Sequence, residues 1–255
     1  MTASDQLSDA PQQPRRFTGT VLAHVRTCRL DTACYFGMVG LSGALLASDD
    51  RVVWRLALAW FVPALASIAA HRADALVNGG KAWWALTVLA RGVATIAAFC
   101  AGTLITAGVP LWDLMILSLL FWQQDGMAHL VGAVRDVDRD RRLGHLTFPV
   151  RFGDTAARWL MVVMLVCWFA SAAFQPASIL SRPFALPGYL FFLVVAGVLA
   201  TVATVMLFQQ RTRVYDVLMF ERPVLATAAF AASGHTALGL VLLAVTAAAV
   251  VITRE

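Results

Sequence analysis

The sequence predicts an all-α fold: a polytopic transmembrane bundle of about seven helices with its N-terminus in the cytoplasm. Three observations predict it. Of the 255 residues, 60% are hydrophobic and only 14% are charged, whereas a soluble domain is about half apolar and about a quarter charged. Apolar runs approaching the roughly 17–25 residues needed to cross a bilayer recur along the chain. The basic residues gather in alternate loops, as cytoplasmic loops require.

The elements follow in order. Residues 1–20 begin MTASDQLSDAPQQPRR, a polar stretch with no apolar core, and predict a disordered tail rather than a signal peptide. Residues 21–255 then form one membrane domain. Its apolar segments lie at about 30–48, 52–70, 86–107, 111–131, 158–175, 186–208 and 228–251. With the N-terminus inside, Arg15, Arg16, Arg26, Arg29, Arg72, Lys81, Arg135, Arg139, Arg141, Arg142, Arg151, Arg158, Arg211, Arg213 and Arg222 fall on the cytoplasmic side. Arg51, Arg55, Arg182 and Arg254 fall outside, with Arg91 between. The loops near 71–81 and 132–157 therefore share the cytoplasmic face. This predicts a multi-pass protein of the cell membrane.

The net charge of +5 is a product of this loop bias and implies no nucleic-acid partner. Cys28, Cys34, Cys100 and Cys167 form no CxxC pair and read as small packing residues. The eight tryptophans stand mostly near segment ends, as interfacial anchors do.

The chemistry concentrates in F121-W-Q-Q-D-G-M-A-H-L-V-G-A-V-R-D-V-D-R-D140. Read as one continuous helix, it places Asp125, His129, Gly132, Asp136 and Asp140 on a single face. A charge at the centre of a membrane helix costs roughly 2.5–3.5 kcal/mol, so this face predicts a polar cavity open to the cytoplasm. Asp136 and Asp140, one turn apart, can share Mg²⁺, a hard cation that takes carboxylate and phosphate oxygens. Arg135, Arg139, Arg141 and Arg142 suit phosphate recognition. Equally, these could be a solvated loop with topogenic arginines; the intramembrane Asp125 and His129 favour a site. His129 suits a general base or a polar helix contact. Asp125 could orient it or bind an acceptor. Trp122 is near enough to stabilise a cation, and Tyr215, Asp216 and Glu221, placed before the last helix, border the same cavity.

In the other loop, A70-H-R-A-D-A-L-V-N-G-G-K81, residues His71, Asp74 and Asn78 share one helical face, with Gly79–Gly80 as a cap.

These residues resemble the UbiA superfamily of intramembrane prenyltransferases. The family's second aspartate-rich motif reads roughly D-V-E-G-D-R-x-x-G-x-x-T-L-P-V-R-L-G; here it is D136-V-D-R-D-R-R-L-G-H-L-T-F-P-V-R-F-G153. The first motif, roughly N-D-x-x-D-x-x-x-D, is matched in spacing by Ala70, His71, Asp74 and Asn78. The segment L22-A-H-V-R-T-C-R-L-D-T is similar to the family's approach to its first helix. The resemblance implies a UbiA-like bundle that binds an isoprenyl diphosphate, in the geranyl to geranylgeranyl range, with Mg²⁺ between the motifs. It ionises the diphosphate and transfers the prenyl group to an aromatic or other small acceptor. Asp136, Asp140 and Asp74, with Asn78 and His71, would be the metal ligands. Arg141, Arg135, Lys81 and Arg91 would hold the diphosphate, and His129 and Asp125 would be the catalytic pair.

The chain departs from the family in two ways. Ala70, His71 and Asn78 replace an Asn and two Asp. The motifs are 65 residues apart (136 − 71), room for two helices where the family has four. A terpene cyclase of the same family, acting without an acceptor, is therefore the nearest alternative. A non-catalytic lipid-binding relative or a transporter is more distant. A CDP-alcohol phosphotransferase would need an Ala-Arg pair after D125-G126 that is missing here.

Overall fold

The computed structural model describes residues 30–47, 52–77, 84–107, 114–174, 179, 184–210 and 213–254; the side chains of 30, 71–77, 84–90 and 252–254 lie outside the description. Among the described residues the fold is all-helical, without a strand. The helices are α1 (Leu30–Ala47), α2 (Val53–Val77), α3 (Trp84–Ala107), α4 (Met115–Arg135), α5 (Val137–Leu143), α6 (Phe148–Phe152), α7 (Asp154–Ala173), α8 (Leu186–Phe208), α9 (Val214–Ala232) and α10 (Thr236–Arg254). Three stretches, Val53–Ala70, Asp154–Ala173 and Leu186–Phe208, are long and apolar enough to cross a membrane; α1, α3 and α10 contain shorter apolar helices. The outward faces of α2, α7 and α8 carry Phe61, Leu65, Val163, Val166, Phe191 and Val194 in the open. Such continuous apolar surface suits lipid rather than water.

Two packing units meet at α9. In the first, α1, α2 and α3 approach so closely that a Cβ on Gly102 of α3 would overlap the Gly40 carbonyl of α1, and one on Gly43 would overlap the Phe99 carbonyl. Without a hydrophobic drive between helices in lipid, such small residues let backbones and van der Waals surfaces meet. In the second, α9 packs most extensively on α8 and α10 and also reaches α1 and α4. Every residue from Glu221 to Ala232 is buried. This makes α9 the central post of the bundle.

Here the structure corrects the sequence reading. There are eight long helices among the described residues, not about seven. The segment expected at 228–251 merges the second half of α9 with α10. Asp216, Glu221, Arg222 and Pro223 lower the hydropathy of α9's first half; Tyr215, Asp216 and Glu221 precede the last helix, as expected, but lie inside a helix of their own. The break falls at Ser233–Gly234–His235, where His235 N–H donates to Phe230 O at 2.8 Å and Gly234 N–H to Ala231 O at 3.0 Å. With Gly234 at φ +81°, this is a Schellman stop. α2 runs on past residue 70, and α3 begins at Trp84, so Arg91 is two turns inside a helix and half-buried rather than at its edge. Trp168 is not an interfacial anchor but a fully buried core residue.

Gly102→Ala should push α1 from α3 and lower stability by about 1–3 kcal/mol, as overpacking does. Gly234→Ala meets no atom within 4 Å and should cost only the left-handed strain, about 1–2 kcal/mol. Thermal unfolding in detergent, with the parent alongside, measures both.

Candidate functional site

The charged stretch forms a corner at the end of α4. The helix does not run on to Asp140: Asp136 adopts φ −96°, ψ 10°, and α5 starts afresh at Val137. The expected single face is therefore cut, with Asp125, His129 and Gly132 on α4 and Asp140 on α5. Gly144 closes α5 in the left-handed conformation (φ 72°, ψ 21°), with His145 N–H donating to Asp140 O at 2.9 Å. Pro149 stands in the first turn of α6, where its missing N–H costs nothing. Gly153, at φ 86° and ψ 163°, turns the chain from α6 into α7 in a region open essentially to glycine alone. The spacing of Gly144, Pro149 and Gly153 in this stretch is thus explained by backbone geometry.

Three pairs form among its acidic and basic residues. Arg135 grips Asp136 with two bonds, Nε to Oδ1 and Nη2 to Oδ2, both 3.0 Å. These bonds raise the Arg135 pKa above its ordinary value. The same guanidinium lies 4.5 Å from the ring centroid of Tyr215 on α9, and that ring packs 3.5 Å from where a Gly132 Cβ would be. His145 Nδ1 is 3.3 Å from Asp140 Oδ1, and Arg141 is 3.6 Å from Asp138 at the surface. The side chains of Asp136 and Asp140 are 37% and 14% exposed, half-sheltered at the corner.

Among the described residues no three His, Cys, Asp or Glu side chains gather as a metal group. Asp136 and Asp140 nonetheless suit two of the ligands of a hard divalent cation. They supply oxygen donors one turn apart, and Arg135 leaves each Asp136 oxygen a free lone pair. The expected partners on the other loop fall outside the description: the side chains of His71 and Asp74, within the range of α2, and Asn78, Gly79, Gly80 and Lys81 altogether.

Deeper in the bundle is a second polar group. Asp125 of α4 and Arg222 of α9, only 2% and 4% exposed, form an ion pair through Arg222 Nη2 and Asp125 Oδ1. Arg222 is thus a core residue rather than a topogenic one. The Tyr35 ring of α1 lies 5.2 Å from its guanidinium. Gln124 Nε2 donates to Leu218 O at 3.3 Å, a second α4–α9 link. Glu221 is fully buried, and neither of its carboxyl oxygens meets a donor. His129, half-buried, stands one turn along α4 from Asp125 toward the corner. The Trp122 indole is packed where a Cβ on Gly92 would lie, so it serves the α3–α4 contact.

The sequence reading missed Arg222, Tyr35 and Gln124 as a group with Asp125. The available signal was Glu-Arg-Pro followed by a buried apolar run, which no cytoplasmic loop needs. Comparisons with protein families, with curated proteins and with solved structures find no match to this chain.

Removing Arg222 leaves Asp125 buried without its cation. Arg222→Met should lower stability by about 3–5 kcal/mol, and Asp125→Leu combined with Arg222→Met should recover most of that loss. A double-mutant cycle read by thermal unfolding checks both.

Proposed function

We propose that the chain is a multi-pass membrane enzyme that ionises an isoprenyl diphosphate with Mg²⁺ and transfers the prenyl group to a small acceptor. The observation that carries this reading is the 136–153 stretch, similar in order and spacing to the UbiA motif and folded as a half-sheltered corner. Asp136 and Asp140 would hold the metal, with Asp74, Asn78 and His71 opposite; bound there, Mg²⁺ neutralises charge on the departing diphosphate. Arg135 and Arg141, with Lys81 and Arg91 from the facing elements, would orient the diphosphate oxygens. As the C–O bond breaks, its electron pair leaves on the diphosphate. The apolar helix walls keep water from the allylic cation. His129, between the corner and the core, would accept the proton lost when the acceptor attacks.

Counted as crossings, the eight long helices would give a simple topology. Both termini then lie in the cytoplasm, with the loops near 71–81 and 132–157. Arg254 joins the cytoplasmic set instead of opposing it, which strengthens the positive-inside bias. A cyclase working without an acceptor shares the ionisation step; the sparse carboxylates at Ala70, His71 and Asn78 favour it as the second reading.

The test is Mg²⁺-dependent diphosphate release by the purified protein, offered geranyl, farnesyl and geranylgeranyl diphosphates. Release that needs an aromatic acceptor and yields a prenylated product is the expected result. Release without acceptor, with a cyclic product, selects the cyclase. The double change Asp136→Ala, Asp140→Ala should reduce turnover at least 100-fold, the scale of losing electrostatic stabilisation. Turnover that survives it removes the proposed site.

A further inference from the structure

The buried group on α4 and α9 carries unbalanced charge. Asp125 and Glu221 are two carboxyls, and Arg222 is one guanidinium. The Arg222 bond goes to Asp125, while its Nε meets no acceptor and Glu221 meets no donor. Among the described residues the surrounding elements place no donor on Glu221. α8 has no ionisable side chain except the phenol of Tyr189, and α10 has only Arg254 at its last residue. From α1 come Tyr35, Cys34 and, one turn away at the half-buried start, Asp31; α4 adds His129 one turn off and, at its end, Arg135 bonded to Asp136; α3, packed on α1 and α4, adds the half-buried Arg91. α9 itself adds Tyr215 and Asp216 more than a turn before Glu221. Among the described residues none of these bonds to a Glu221 oxygen.

An isolated carboxylate in a dry interior is far costlier than a neutral acid. Pro223 adds to the excess of acceptors, because it has no N–H for the Met219 carbonyl one turn back. The group is short of one positive charge and of hydrogen-bond donors, and a proton supplies both.

We infer that Asp125, Glu221 and Arg222 form an internal proton-binding site holding one proton between two carboxyls. With Arg222 paired to Asp125, as the structure has it, that proton belongs on the unpartnered Glu221. In the alternative state Arg222 turns to Glu221, the Glu221 O–H bond breaks, and an O–H bond forms on Asp125; total charge is unchanged. His129 is the next titratable side chain from Asp125 toward the α4–α5 corner, so a proton released at Asp125 has a neighbour on the polar side. The site stands independently of the prenyl-diphosphate reading.

Infrared absorption of the full chain, in a detergent without carbonyl groups, reads a protonated carboxyl directly. The parent should show one such band from the core. Glu221→Gln should abolish it. Asp125→Asn should abolish it too, because Glu221 then ionises against Arg222. Arg222→Gln should double it, leaving two acids and no cation. Circular dichroism and gel filtration confirm that each variant is folded; should Arg222→Gln not fold, the first two variants decide alone. A parent without the band, or a band that survives Glu221→Gln or Asp125→Asn, overturns the inference.

Discussion

The contact on which the bundle's arrangement depends is the ion pair between Asp125 and Arg222. Both side chains are almost wholly removed from solvent. Their mutual attraction is set against a desolvation cost of several kcal/mol per ion, so the pair adds little to stability as a sum. What it fixes is register. A one-turn slip of α9 against α4 would leave two charges unpaired in the core. With register held there, the antiparallel run of the two helices brings Tyr215 under Arg135 and against Gly132. Arg135 in turn holds Asp136. A contact in the core thus sets the position of a carboxylate at the surface corner.

The corner shows why so much charge gathers in eighteen residues. Its backbone needs Gly144 and Gly153 to stop one short helix and redirect another. Its side chains are acids clasped by bases, half in the open. Such pairs are weak enough to be exchanged for another anion or cation. The core pair is not of that kind: it has no solvent to take up a partner that leaves. One chain therefore carries two polar groups, one exchangeable and one locked, joined by α4.

Much of this was legible in sequence, and the remainder fails for a physical reason. Apolar runs located α1, α2, α3, α4, α7 and α8 closely, because these helices are apolar along most of their length. They failed at α9, whose polar residues Glu221 and Arg222 are buried among other helices and not in water. Hydropathy averages along the chain and is blind to partners across it. The same blindness made Arg222 look like a loop arginine. Helical periodicity placed Asp125 and His129 on one helix but carried the helix on to Asp140, because a break at Asp136 rests on dihedral angles that residue spacing does not encode. The acids and arginines of the corner were named from their residues; that His145 answers Asp140 and that Tyr215 backs Arg135 required the fold.

The buried α9 also bears on how the protein is made. In the proposed topology this helix brings Glu221, Arg222 and a proline to the bilayer interior, where Arg alone costs roughly 2.5–3.5 kcal/mol. It does not qualify as a spanning helix by its own hydropathy. Its counter-charge, Asp125, emerges from the ribosome 97 residues earlier. In that topology α4 would wait with an unanswered acid until α9 is synthesised. Biogenesis is then a late capture: α8 and α10, apolar on either side, carry α9 in between them, and insertion completes only when the arginine finds the aspartate already in the membrane.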